Sequence, residues 1–110
     1  MKNNSLNWAL EQNDDKITFR LIGALSRDTL LPFWQQRSSF LSNAKVANQQ
    51  LIWELSEVQR IDSAGFALLC DFMHEYETQV SSQKIHHAPI QLETLADLFG
   101  LSHWLKPFLQ

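Results

Sequence analysis

Ser63 and Asp62 are the residues of this chain whose types and neighbours permit chemistry. They lie in the run Leu51-Ile-Trp-Glu-Leu-Ser-Glu-Val-Gln-Arg-Ile-Asp-Ser-Ala-Gly-Phe-Ala-Leu-Leu69. A serine beside an aspartate, in a chain with 4 His, invites a hydrolase reading. The spacing opposes it: a nucleophile elbow reads Gly-x-Ser-x-Gly, whereas Ile61-Asp62 precede Ser63, and a triad needs an oriented histidine. No catalytic residue is assigned. His86 and His87 are adjacent on a predicted strand, so they point to opposite faces and cannot share a metal. His74 and His103 stand alone, and no metal or cofactor is expected.

A binding chemistry remains. If a helix starts at Asp62-Ser63, its first turn presents unpaired backbone N–H groups and the positive end of the helix dipole. The small Ala64 and Gly65 leave those groups open to an anion or to a partner's acceptor atoms. The plainer alternative is that Asp62 or Ser63 only caps the helix, worth about 1 kcal/mol, while Gly65 permits close packing. The residues alone favour that plainer reading.

The elements that must position this turn can be read from hydrophobic period. Leu51 to Leu55 form a strand with largely apolar faces up to Glu54, and the chain then turns through Glu57 to Arg60. Phe66, Leu69, Met73 and Tyr76 recur at three- and four-residue steps, which predicts an amphipathic helix over 64–78. Upstream, Leu6, Trp8 and Leu10, then Ile17, Phe19 and Leu21, alternate with polar residues around Gln12-Asn13-Asp14-Asp15, predicting an antiparallel hairpin. A helix over 29–41 follows, with Leu30, Trp34, Arg37 and Leu41 on one side and Pro32 in its first turn. Residues 42–50 read as a polar connection. Lys84 to Ala88 read as a strand, and Pro89 starts a helix covering Ile90, Leu92, Leu95, Leu98 and Phe99, with Gly100 at its C-terminal cap. Trp104-Leu105 and Phe108-Leu109 suggest a last short helix that either closes the core or docks on a neighbour.

The order β-β-α-β-α-β-α describes an α/β protein: an N-terminal antiparallel hairpin followed by parallel strands in one mixed sheet, with helices mainly on one face. At 110 residues, residues 1–110 are expected to form a single domain. Hydrophobic residues at 45% with only 3 Gly and 3 Pro describe a folded chain rather than a disordered one. A net charge of −3 without clustered Lys or Arg excludes nucleic acid as a partner. The N-terminus lacks the apolar core of a signal peptide, and no segment reaches the roughly 20 apolar residues of a membrane span. A cytoplasmic protein is expected. Cys70 falls on an apolar helical position and reads as a small core residue. Trp8 and Trp53, on apolar strand faces, are expected in the interior, with Trp34 and Trp104 nearer the surface.

The stretch Glu54 to Leu69 resembles the signature of STAS domains, named for sulfate transporters and anti-sigma factor antagonists. Their pattern is close to Asp-Leu-Ser-x-Val-x-x-hydrophobic-Asp-Ser-Ser-Gly. The element order is similar too, over essentially the whole chain. Glu54 stands for the usual Asp, and Ala64 replaces the second Ser of the turn, leaving Ser63 as its only hydroxyl. Within the family, Leu25-Ser-Arg-Asp-Thr-Leu-Leu-Pro-Phe-Trp-Gln-Gln-Arg37 and Thr94-Leu-Ala-Asp-Leu-Phe-Gly-Leu101 resemble one branch. That branch comprises the small STAS subunits of Mla-type ABC transporters, which move phospholipids to maintain outer-membrane lipid asymmetry. The resemblance implies a non-enzymatic accessory subunit that binds the transporter's cytoplasmic ATPase, with the permease in the same complex, and that meets the inner membrane only through that complex. It implies partner binding by Asp62, Ser63, Ala64, Gly65 and Phe66, together with the exposed side of the helix that follows. The alternative it implies is an anti-sigma factor antagonist, in which the serine at the position of Ser63 is phosphorylated to switch partner binding. A bound lipid is not expected, since 110 residues leave little room for a cavity.

Overall fold

A computed structural model describes residues 5–109. Strands β1 (Leu6–Asn13) and β2 (Lys16–Leu25) pair antiparallel, with Leu10 opposite Phe19 and Trp8 opposite Leu21. The two-residue loop between them places Asp14 at φ 55°, a left-handed conformation that Asp tolerates better than most residues. Strand β3 (Gln50–Ile61) lies parallel to β2, and β4 (Ser82–His86) lies parallel to β3, giving one mixed sheet in the order β1-β2-β3-β4.

One face of that sheet is the core. Ile17, Phe19 and Leu21 of β2, Leu51, Trp53 and Leu55 of β3, and Ile85 of β4 are buried, whereas Thr18, Arg20, Lys84 and His86 between them are partly exposed. In β2 and β4 this alternation means that one face is packed while the other is more open to solvent, but in the central strand β3 Ile52 and Glu54, on that second face, are buried as well. Helix α4 (Ser63–Tyr76) covers the packed face with Phe66, Leu69, Phe72, Met73 and Tyr76. Trp53 lies fully inside, and its indole N–H donates to Gln83 Oε1 at 2.9 Å. The Gln83 amide in turn donates to the Met73 carbonyl at 2.8 Å, so the polar atoms carried into the core by a tryptophan and a glutamine satisfy each other. Trp8 is only half-buried, because β1 is the edge strand and has a neighbour on one side alone.

The expected helix over 29–41 is broken. It consists of α1 (Leu30–Gln35) and α2 (Arg37–Phe40), separated at Gln36, and the Arg37 guanidinium donates to the Trp34 carbonyl at 3.0 Å across the break. The same guanidinium lies 3.8 Å from the centre of the Trp34 ring. Phe33, outside the expected stripe, is the α1 residue that enters the core, 4.8 Å from the rings of both Trp8 and Phe72. The polar connection over 42–50 contains one helical turn, α3 (Asn43–Val46).

Helix α5 (Ile90–Leu98) ends as Gly100 predicts. The Leu101 N–H donates to the Ala96 carbonyl at 2.7 Å and the Gly100 N–H to the Asp97 carbonyl at 3.1 Å, with Gly100 at φ 72°. This is the paired bonding of a Schellman cap, which needs a left-handed residue. The final segment, α6 (Ser102–Leu105) and a 3-10 turn (Lys106–Phe108), buries Leu105 and lays Trp104, Phe108 and Leu109 against the core. Leu109 pairs with Ile85 and covers the outer edge of β4. Of the two roles open to this segment, closing the core is the one observed.

Candidate functional site

The junction between β3 and α4 is built by three local devices. The first is in β3 itself. The expected turn from Glu57 to Arg60 is strand: β3 is 12 residues long against 10 in β2, with pairing shifts between Arg20 and Ile22 and between Gly23 and Ala24. Each shift absorbs one extra residue of β3, as a β-bulge does. Val58 and Ile61 therefore face inward at a spacing of three, while Glu57, Gln59 and Arg60 are exposed. Loss of period-two alternation makes this strand look like a polar turn in sequence.

The second device is Asp62. Its Oδ1 accepts from the Gly65 N–H at 2.9 Å, the side-chain cap of α4, and its Oδ2 accepts from the Arg27 N–H at 3.1 Å in the loop after β2. One carboxylate thereby ties the start of α4 to a loop 35 residues away. Burial raises the pKa of this carboxyl, but the two backbone N–H donors and the nearby Arg60 outweigh it and hold the pKa below its ordinary value. A group whose pKa is lowered by folding stabilises the fold above its unfolded pKa and loses that contribution as pH falls through the folded value. The stability advantage of the wild type over Asp62→Asn is thus expected to be full near pH 7 and to shrink below about pH 4, a trend that thermal melts at stepped pH would follow. A gap that did not change with pH would contradict this role.

The third device is Gly65. A Cβ built there would stand 1.9 Å from the Leu25 carbonyl oxygen, so only glycine lets α4 approach the end of β2 this closely. Gly65 and Phe66 are buried and act from beneath the surface, whereas Asp62 and Ala64 are half-buried and Ser63 is exposed. The five residues singled out in the sequence are contiguous, but the surface they offer centres on Ser63.

Two grooves reach this junction. A volume of about 590 Å³ is lined by Ile61, Pro89, Ile90 and Leu95 among others. A second, of about 290 Å³, runs from Ser63 along Ala67, Cys70 and Asp71 to Phe99, whose ring stacks 6.0 Å from Phe66. The Cys70 thiol on this groove is half-buried, and burial, with Asp71 beside it, pushes its pKa up to about 11. Alkylation by iodoacetamide at pH 8 is expected to be far slower than for free cysteine; an equal rate would show that the groove wall opens.

On the other face of the sheet, His87 lies with its Nδ1 2.8 Å from Glu54 Oε2. A carboxylate only accepts, so Nδ1 donates. Burial raises the Glu54 pKa, and the bonds from His87 and from the Ser56 N–H at 3.0 Å more than reverse it, leaving the pKa lowered. His87 sits outside the strand at φ 57°, so it does not simply oppose His86. Among the described residues no group of three or more His, Cys, Asp or Glu could hold a metal. Neither the Glu54–His87 bond nor the Asp62–Arg27 bond leaves a sequence signal, since each joins residues more than thirty positions apart.

A hairpin-first mixed sheet, with a serine exposed on an aspartate-capped helix directly after the central parallel strand, defines a STAS domain. The anti-sigma factor antagonist SpoIIAA has this fold: its unphosphorylated form superposes with a TM-score of 0.67 at 20% identity, covering 94% of this chain and 86% of that one. The phosphorylated Bacillus form gives 0.68 at 19%, covering 94% and 89%. The chain belongs to the STAS family described as "Mlab, STAS domain", whose model matches residues 8–109. It is 53% identical to the intermembrane phospholipid transport system binding protein MlaB of Haemophilus influenzae over 94% of this chain and 99% of that protein. With MlaB of Escherichia coli the identity is 31%, over 88% and 90%.

Proposed function

We propose that the protein is a non-enzymatic subunit of an ABC transporter that moves phospholipids and maintains outer-membrane lipid asymmetry, acting by binding the cytoplasmic ATPase through the β3–α4 junction. The observation that carries this reading is the exposed Ser63 on a turn locked by Asp62 and Gly65, in a chain 53% identical to a phospholipid transport system protein. A preorganised turn loses little conformational entropy on docking, so a small surface can bind usefully. Ser63, with Asp62 and Ala64 at its sides, makes the contact; Gly65 and Phe66 hold it in place. The protein works on the cytoplasmic side of the inner membrane through this complex. Among the described residues, no helix is long and apolar enough to cross a membrane.

Ser63 is also the residue at which a phosphate would act. It would add about −1.5 to −2 charges, which the helix N-terminus accommodates and a partner packed on the bare turn does not. The test of the function is affinity purification of the tagged protein from its own cells in mild detergent, with identification of what accompanies it. An ABC ATPase with its permease is expected. A serine kinase or an anti-sigma factor in their place would replace the transporter reading with that of a phospho-switch regulator.

A further inference from the structure

The two edges of the sheet are finished differently. Along the outer side of β4, Leu109 pairs with Ile85. Along the outer side of β1, among the described residues, no strand is paired and no backbone bond reaches Leu6, Leu10 or Gln12. The Ser5 carbonyl accepts from the Ala24 N–H at 3.0 Å, so the odd-numbered residues of β1 turn their amides and carbonyls towards β2 and the even-numbered ones turn theirs outward. The ladder to β2 runs from Leu6 opposite Gly23 to Asn13 opposite Lys16 without a shift, so no bulge twists this edge away. The strand also contains neither Lys nor Pro, the residues that ordinarily blunt an edge. Leu6, Trp8 and Leu10 point to the core face, yet they are only half-buried because packing stops at β1. A further strand laid against β1 would continue both the ladder and the core.

The residues of β1 select a second copy of itself as that strand. Across a two-fold axis, antiparallel strands pair in registers that set outward-facing residues opposite one another. The register centred on Ala9 pairs all of 6–12: Leu6 with Gln12, Asn7 with Glu11, Trp8 with Leu10, and Ala9 with Ala9. Glu11, the one charged residue of β1, then meets a neutral amide instead of its own copy. At the axis the two backbones approach to about 4.5 Å between Cα atoms, a spacing that the small Ala9 suits. Each Trp8 ring comes beside the other copy's Leu10, which extends the core face across the axis.

We infer that two copies of the chain associate edge to edge through β1, in an antiparallel pairing about Ala9 that joins their sheets into one. β1 lies two strands, about 10 Å, from β3. The pairing is therefore separate from the Ser63 turn and does not rest on the proposed function. One strand pair buries less than the roughly 800 Å² a side of stable complexes, so the association is expected to be reversible and to show at micromolar concentrations and above.

Sedimentation velocity of the full chain, over a series from low to several hundred micromolar, reads this association. A dimer that grows with concentration is expected, weakened more than about tenfold when Ala9→Lys and Gln12→Pro are combined. The first change sets like charges on the axis, and the second removes an outward N–H at each end. Both positions are exposed, and melting curves check that the variant is folded. The register is read separately in a Cys70→Ser background. Ala9→Cys should form an intermolecular disulfide under mild oxidation, whereas Asn7→Cys, which faces Glu11, should not. A chain that stays monomeric at every concentration would overturn the inference, as would a dimer undiminished in the folded double variant or equal cross-linking at the two cysteine positions. If the double variant unfolds, the cysteine pair decides.

Discussion

Gly65→Ala is expected to lower stability by about 3 kcal/mol, at the upper end of what overpacking costs, and to lower the melting temperature by more than about 10 °C. The added methyl would stand 1.9 Å from the Leu25 carbonyl oxygen and 2.6 Å from its carbon. Backbone cannot swing aside as a flexible side chain can, so α4 must move away from the end of β2. That displacement breaks two neighbouring bonds: Asp62 N–H to the Leu25 carbonyl at 3.3 Å, and the Asp62 carboxylate to the Arg27 N–H at 3.1 Å. Gly100→Ala is the control. Nothing lies within 4 Å of a Cβ there, and only the left-handed φ of 72° opposes the change, a cost of about 1 kcal/mol. Thermal melts of the two variants should differ clearly. Equal losses would mean that the close approach of α4 to β2 is not what requires glycine at position 65.

Ser63→Glu is expected to leave the fold intact and to weaken binding of the ATPase by roughly thirtyfold or more. Ser63 is the first residue of α4 and is exposed, so a carboxylate there meets the positive end of the helix dipole and is tolerated or mildly stabilising. In the complex the same carboxylate must lose water without a counter-charge, next to Asp62. Burying an unpaired charge at an interface costs about 2–5 kcal/mol, which is a thirtyfold loss at its low end. Ser63→Ala removes only the hydroxyl and should bind within about tenfold of wild type. Calorimetric titration of both variants, with melting curves as a check on folding, separates charge from contact. Undiminished affinity of a folded Ser63→Glu would place the interface elsewhere.

The elements with a clean period were legible in the sequence. The β1–β2 hairpin, the α4 helix and the Gly100 cap follow from alternation, from three- and four-residue spacing, and from a glycine at the end of an apolar run. A cap at Asp62 or Ser63 was legible because cap chemistry is local, but only the structure assigns it to Asp62. What escaped was non-local. The extra residues in β3 disguise strand as turn, because each bulge resets the alternation and leaves Val58 and Ile61 in a period of three. The break at Gln36 is unmarked by Pro or Gly, and it leaves Phe33 as the α1 residue in the core. In α5, sequence shows which residues are apolar but not that two sets of them face opposite ways. The exposed Ile90 and Leu98 are distinguished from the buried Leu92 and Ala96 only by what lies beneath the helix.

Amide hydrogen exchange of the chain alone and bound to the purified ATPase tests the central claim most directly. The account predicts slowed exchange in the complex over 61–71, with the sheet face opposite the helices unchanged. Protection confined to β1, or to the face bearing Arg20, Glu54 and His87, would contradict it.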